Sequence, residues 1–419
     1  MSKNSVTIKE AKKLIEYTID NNKLMEATGI VPLAVNLVGE SGIGKTSLVR
    51  QIAAEKNMGF VKLNLAQLDE VGDLVGFPVK EYEAQIYKLD KQEDGTVKRT
   101  PLRTVWGLED TFKGLNPKSY SMTGKVRMGY AKPSWVPEAK AEGNIVLLDD
   151  YTRCTPVFAQ AIMDLMLEQK YVSWTLPKGT TIVLTSNPDN GNYNVTGLDA
   201  AQRGRCVNYE IEFDIDAWSM WAEKNNIDSR CINFAITYYN ELFSHDEQGN
   251  SIADPRSFAM FANMIANIKD WENLDNLAFI KTIANGCFHD DQARFGSMFA
   301  SFIKNKMHLL MPPKKMLLEK WDTIEHELYR QLYDNDGELM PAVSSLMERR
   351  FASYVCAWLD NNDKTPISVV KDRVLDFIQA PKKMFTEDQY YHMITTITSV
   401  HKAQTNKLLY EPAIAKKIQ

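Results

Sequence analysis

Apolar positions along the chain change their period several times, and each change marks an element. Ile8, Ala11, Ile15 and Ile19 recur at helical spacing behind Thr7 and Glu10, which are set as a capping box. This predicts a helix ending near Asn21. Leu33–Val38 is a mainly apolar run between Pro32 and Gly39 and reads as a buried strand. Thr46–Glu55 reads as a helix and Phe60–Leu65 as a strand, whereas residues 80–142, rich in Gly, Pro, Lys and Arg, read as irregular. Ile145–Leu148 and Ile182–Leu184 are short buried strands. Between them, Phe158, Ala161, Ile162, Leu165 and Met166 form one helical face. Val207, Tyr209, Ile211 and Phe213 alternate, as in a strand with one covered face. Strands alternating with helices imply an α/β fold with a parallel sheet and helices on both sides. From about Asp216 onward the strand signals stop, and the remainder reads as helices punctuated at Pro312-Pro313, Asn361-Asn362-Asp363 and Pro381.

Composition adds exclusions. The chain has 419 residues, 44% hydrophobic and 25% charged, which rules out collagen-like, low-complexity and wholly disordered classes. A net charge of −5 weighs against a protein built mainly to coat nucleic acid. No apolar run reaches the length of a membrane helix, and the first residues lack the apolar core of a secretory signal. Five scattered cysteines fit neither a disulfide framework nor a zinc pattern, so a reducing cytoplasm is the expected location. His289 beside Asp290-Asp291 is too sparse for a metal site.

One segment carries specific chemistry. Gly39, Glu40, Ser41, Gly42, Ile43, Gly44, Lys45 and Thr46 fit G-x-x-x-x-G-K-[ST], between a predicted buried strand and a predicted helix. Glycines let the backbone curl so that several N–H groups face one phosphate, and the helix N-terminus adds positive potential. Lys45 would reach the β- and γ-phosphates, and the Thr46 hydroxyl would ligate Mg²⁺. Further on, Asp149-Asp150 follows Ile145–Leu148, at the ligand edge of such a sheet. Asp149 would hold the metal and Asp150 would stand near an attacking water, although the pair also suits a turn capping the next helix. Asn187, in Leu184-Thr185-Ser186-Asn187-Pro188, would orient a water or touch the γ-phosphate; Asn-Pro is equally a common turn dipeptide.

The order GESGIGKT, IVLLDDYTR, VLTSNP, LDAAQRGR and DPRSF resembles the MoxR-like group of AAA+ ATPases over roughly residues 25–270. The resemblance implies an AAA+ P-loop core over 1–215 with an insertion at about 78–142, a helical lid over 216–300, and a helical region of open role over 301–419. It implies ATP and Mg²⁺ as cofactors and a Walker A loop at Gly39–Thr46. Thr46 and Asp149 are then the metal residues, Asp150 stands in the place of the catalytic Glu, and Asn187 is sensor 1. Arg205 lies where the arginine finger acts on a neighbouring subunit, with Arg203 as the alternative, and Arg256 lies where sensor 2 sits on the lid. Arg205 would otherwise be a surface residue before a strand, and Arg256 a lid ion pair. Arg153 is a candidate interface contact.

The implied assembly is a homo-oligomer, a hexameric ring that remodels a protein client, for which a von Willebrand A domain protein is a candidate. Two positions depart from the family. Asp150 is one methylene shorter than Glu, and Cys206 replaces an aromatic residue. Two other functions stay open. One is a nucleic-acid-stimulated motor, supported by Lys113, Lys118, Lys125, Arg127 and Lys132 in a stretch without acids. The other is a slowly hydrolysing nucleotide switch or structural subunit, supported by Asp150.

Overall fold

The computed structural model describes residues 5–92, 97–189, 204–244, 251–288, 292–361 and 367–418. The chain divides into two compact units: Met1–Glu40 with Gly44–Glu212, and Ser41–Ile43 with Phe213–Gln419. The strands are β1 (Ser5–Val6), β2 (Ala34–Val38), β3 (Gly59–Asn64), β4 (Pro78–Lys91), β5 (Val97–Gly107), β6 (Tyr120–Tyr130), β7 (Asn144–Asp149), β8 (Lys170–Tyr171), β9 (Trp174–Thr175), β10 (Thr180–Ser186) and β11 (Cys206–Ile211). The described α-helices of the first unit are α1 (Ile8–Ala27), α2 (Lys45–Glu55), α3 (Val71–Val75), α4 (Glu109–Lys113) and α5 (Pro156–Glu168).

Six strands form one sheet in the order β1-β11-β2-β10-β7-β3, and every neighbouring pair is parallel. Every residue of β7 and β10 is buried, which is why both read as apolar runs and not as alternations. On one face, Val146, Leu148, Ile182 and Leu184 pack with Phe158, Ile162, Leu165 and Met166 of α5. The alternate residues Ile145, Leu147 and Val183 are equally buried, and α2 lies against β7 and β10. The chain is therefore a mixed α/β protein with a central parallel sheet, helices on both faces, and a helical C-terminal region.

Helix α1 opens on the expected capping box, with Thr7 accepting from the Glu10 N–H and Glu10 accepting from the Thr7 N–H. It runs past Asn21 to Ala27 because polar groups hold its last turns. Asn22 exchanges hydrogen bonds with the Leu33 backbone at 2.8 and 2.9 Å, and Glu26 accepts from the Gly179 N–H at 2.7 Å. Apolar periodicity is blind to such contacts.

Residues 80–142 are not irregular, contrary to the sequence expectation. They hold most of a three-stranded antiparallel sheet in the order β5-β4-β6. Two features hide it. The apolar alternation of β4 changes phase at a register shift between Ile86 and Tyr87, so Tyr82, Ala84 and Ile86 do not continue into Tyr87 and Leu89. One face is also held by polar and cation–π contacts. Arg127 pairs with Glu81 at 2.7 Å and lies 4.6 Å from the Trp106 ring centre, while Glu83 accepts from Thr123 at 2.7 Å and pairs with Lys125 at 3.3 Å. On the other face, Phe112 of α4 is buried and stacks on Tyr120.

The second unit is helical from Ile215 to Ile418, and one hydrophobic cluster runs through it from Ile215 to Ile414. Phe234 is ringed by Phe258, Phe295, Phe299 and Phe302 at centroid distances of 5.2–6.2 Å. A partly buried histidine joins two carboxylates within this unit. The His392 ring stands between Glu348 (2.9 Å) and Asp216 (3.3 Å), and these two carboxylates, against the desolvation of the ring, push its pKa up to about 9.

Candidate functional site

The loop Gly39–Thr46 leaves the carboxyl end of β2 and runs into α2, which opens directly after Gly44. Its start is anchored where the Gly39 N–H donates to the Ser186 carbonyl at 3.1 Å. Lys45 is buried and curls over its own loop, donating from Nζ to the carbonyls of Gly39 (2.5 Å) and Glu40 (2.8 Å). Thr46 is the next residue. Its Oγ1 donates to Oδ1 of Asp149 at 2.8 Å, so that the loop and the acid 103 residues later meet.

Asp149 ends β7 and collects further partners. The Thr185 hydroxyl of β10 donates to Oδ1 at 2.5 Å, and the Lys62 ammonium of β3 stands 2.7 Å from Oδ2. Burial by itself would raise the carboxyl pKa. The Lys62 ammonium and the Thr185 and Thr46 hydroxyls outweigh it and hold the group below the usual carboxylate range. Register explains the Lys62 contact: Lys62 lies opposite Leu147, so Asp149, two residues on, is its diagonal neighbour on the same face.

Asp150 adopts the left-handed backbone conformation, with φ 59° and ψ 42°, and its N–H donates to Thr185 Oγ1 at 3.1 Å. Asp is enriched in that conformation over longer side chains, because its short polar group bonds locally. The backbone thus supplies a structural reason for Asp, and not Glu, at 150. Asn187 follows β10 at the same carboxyl edge. It is buried, and its N–H donates to Thr152 Oγ1 at 3.2 Å.

The arginines are placed elsewhere. Arg205 immediately precedes β11, whose first residue Cys206 is level with Ala34 at the start of β2. It therefore belongs to the amino edge of the sheet, a strand length from the loop edge, and does not reach the loop of its own chain. Arg203 and most of LDAAQRGR lie outside the described residues, as does the His289-Asp290-Asp291 group. Arg153 is exposed at the end of a short 3₁₀ turn. Arg256 is exposed in the first turn of the helix Pro255–Ile265 in the second unit, with which Ser41–Ile43 also group. Within that unit a Cβ on Gly42 would stand 2.8 Å from the Asp254 carboxylate and 3.2 Å from Cβ of Arg256, so that position has room for glycine only.

Burial pushes the Cys206 thiol up to about 11, against a hydrogen bond to Asn208, which fits packing and not nucleophilic chemistry. Lys62 and Thr185 were not singled out from sequence. A lone Lys inside the apolar strand segment Phe60–Leu65 was the available signal for the first. For the second it was a hydroxyl two positions before Asn187.

No protein-family model matches this chain, and no curated protein matches it. Among solved structures, a putative ATPase from Cytophaga hutchinsonii is 14% identical over 65% of this chain and 76% of that one, with a TM-score of 0.28. A proline-to-glycine mutant of RuvB from Thermotoga maritima is 12% identical over 78% and 81%, with a TM-score of 0.34. Neither likeness carries the assignment of the site, which rests on the contacts above.

Proposed function

We propose that this chain is a P-loop ATPase of the AAA+ type, MoxR-like in its motifs. In this reading it binds and hydrolyses ATP between the subunits of a ring and thereby remodels a protein partner. The observation that carries the proposal is the Thr46–Asp149 hydrogen bond, which joins a phosphate-loop hydroxyl to a strand-end acid. A hydroxyl and a carboxylate in contact are the hard oxygen donors that Mg²⁺ takes alongside phosphate oxygens. Thr46 and Asp149 would hold the ion. When bound, Mg²⁺ supplies neutralisation of charge on the β- and γ-phosphates.

The chain's own residues do the rest. The loop from Gly39 to Gly44 turns backbone N–H groups toward the phosphates. Lys45 exchanges its two loop carbonyls for phosphate oxygens. Asp150 and Asn187 position the water. Arg205, remote from its own loop, acts on the nucleotide of the neighbouring subunit, and Arg256 reads the γ-phosphate from the lid over 216–300. A ring of six and a von Willebrand A client belong to this proposal through the resemblance alone.

The nucleic-acid alternative loses some of its support. Lys113 pairs with Glu109 and Asp110, Lys125 with Glu83, and Arg127 with Glu81. Three of the five cations that suggested a basic groove thus have acid partners from outside the stretch 113–132.

The test is steady-state ATPase against protein concentration for the wild type, Lys45→Ala and Arg205→Ala, with sedimentation in the presence and absence of ATP. Specific activity is expected to rise with concentration. Both variants should lose it, while Arg205→Ala still forms the larger species. ATP binding with no turnover at any concentration would favour the nucleotide switch.

A further inference from the structure

We propose that Lys62 is a built-in competitor of the divalent cation: its ammonium occupies Asp149 in the metal-free protein and lowers the affinity of the site for Mg²⁺. The proposal rests on the nucleotide reading above and deepens it.

Three observations carry it. Lys62 Nζ stands 2.7 Å from Asp149 Oδ2, while Oδ1 is taken by Thr46 and Thr185, so both carboxylate oxygens are engaged. The Asp149 side chain is only 10% exposed, and an anion that buried requires a compensating charge. Lys62 supplies that charge from an edge strand with its own side chain 35% exposed, so it can swing into water once displaced. An ammonium and a divalent cation cannot both sit against one carboxylate at low cost, because like charges at such spacing repel. Metal entry with nucleotide therefore has to release Lys62, and the release energy is subtracted from metal affinity. Lys62 is the one exposed residue of β3, and its ammonium turns back to the buried acid of the neighbouring strand.

The experiment uses the full chain with saturating ADP and counts bound Mn²⁺ by electron paramagnetic resonance. Lys62→Met should bind Mn²⁺ about three- to fivefold more tightly than wild type, the upper part of the range for a partly exposed ion pair. Lys62→Arg, which keeps the charge, should stay within twofold of wild type. ADP affinity in EDTA should be the same for all three, since Lys62 faces the acid and not the loop. Thermal melting of each variant without metal checks that it is folded. Weaker or unchanged Mn²⁺ binding in Lys62→Met, with ADP still bound, overturns the competitor role alone and leaves the nucleotide site standing. Wild-type chain that binds neither ADP nor Mn²⁺ overturns the nucleotide reading and this inference together.

Discussion

The two sheets of the first unit use apolar residues in opposite ways. In β7 all six residues are buried, and alternate side chains serve the two faces. In β6, Met122, Val126 and Met128 also alternate, yet they stay 42–62% exposed. The central strands of the parallel sheet, β7 and β10, are covered on both sides, so their middles are apolar runs and their register is fixed by burial. The antiparallel insert has one face held by ion pairs and rings and the other covered only in part by α4. Its stability rests on hydrogen-bonded ladders and cross-strand polar contacts more than on area removed from water.

The widest gap between the two sheets should appear on truncation in the core. Leu148 is fully buried, in contact with the cluster around α5. Leu148→Ala is expected to lower stability by about 2–5 kcal/mol, the range for a buried leucine that leaves a cavity. Urea unfolding followed by far-UV circular dichroism measures it. A loss under about 1 kcal/mol, below that range, would mean that the parallel sheet is no more tightly packed than the insert.

The junction between the sheets gives the next largest effect. Gly76 has φ +92°, and a Cβ there would stand 1.8 Å from the Ala131 carbonyl oxygen, next to the Ala131 N–H to Phe77 carbonyl bond that closes the base of the insert. Gly76→Ala therefore combines a strained backbone with a backbone clash, costing about 1–3 kcal/mol or more. Hydrogen exchange should show protection falling across residues 78–130 while residues 144–149 and 180–186 keep theirs. Equal loss in both would show that the two sheets open as a single unit.

How far the fold could be read from sequence follows the same divide. The central strands were legible because burial on two faces leaves apolar runs, and the turn from β2 into α2 was legible because its glycines stand at fixed spacing. Asp149 was legible because a strand-end acid follows such a run. The insert was not, since Arg127 and Glu81 contribute to it as a cross-strand pair that no local pattern records. The same holds at the site. Thr46 and Asp149 were expected to share a metal, whereas Lys62 and Thr185 reach Asp149 only through strand order, with β3 and β10 flanking β7. Asp150 read as a departure by chemistry, and the backbone angle that favours Asp there was invisible from sequence.

Two carboxylates carry the comparison into pH. Asp149 is held below its ordinary range despite burial, so its charged form stabilises the folded state. That contribution is complete above the unfolded value, about 3.9, and is lost as pH falls through the lower folded value. The stability difference between wild type and Asp149→Asn should therefore be largest near neutrality and shrink toward acid. Glu83 is also held down, first by the Thr123 hydroxyl, against some desolvation, and then by Lys125, which is 71% exposed. Glu83→Gln should follow the same sign with a smaller amplitude that added salt reduces, because the exposed Lys125 is screened while the Thr123 hydrogen bond is not. Urea titrations at stepped pH and two salt concentrations separate the cases. A salt-sensitive Asp149 term would erase the distinction.

The smallest effect is the most pointed test of the insert. Met128 is 62% exposed on β6, so Met128→Ser removes little buried area and should change stability by no more than about 0.5 kcal/mol. Removing the neighbouring charge should matter more, although Arg127 is no better an apolar residue than Met128. Arg127 joins Glu81 and the Trp106 ring at once, and Arg127→Ser would leave Glu81, itself buried, without its cation. Insert-specific hydrogen exchange on the two variants orders them. If Met128→Ser costs more than Arg127→Ser, the apolar stripe and not the polar ladder holds this sheet, and its contrast with β7 is one of degree.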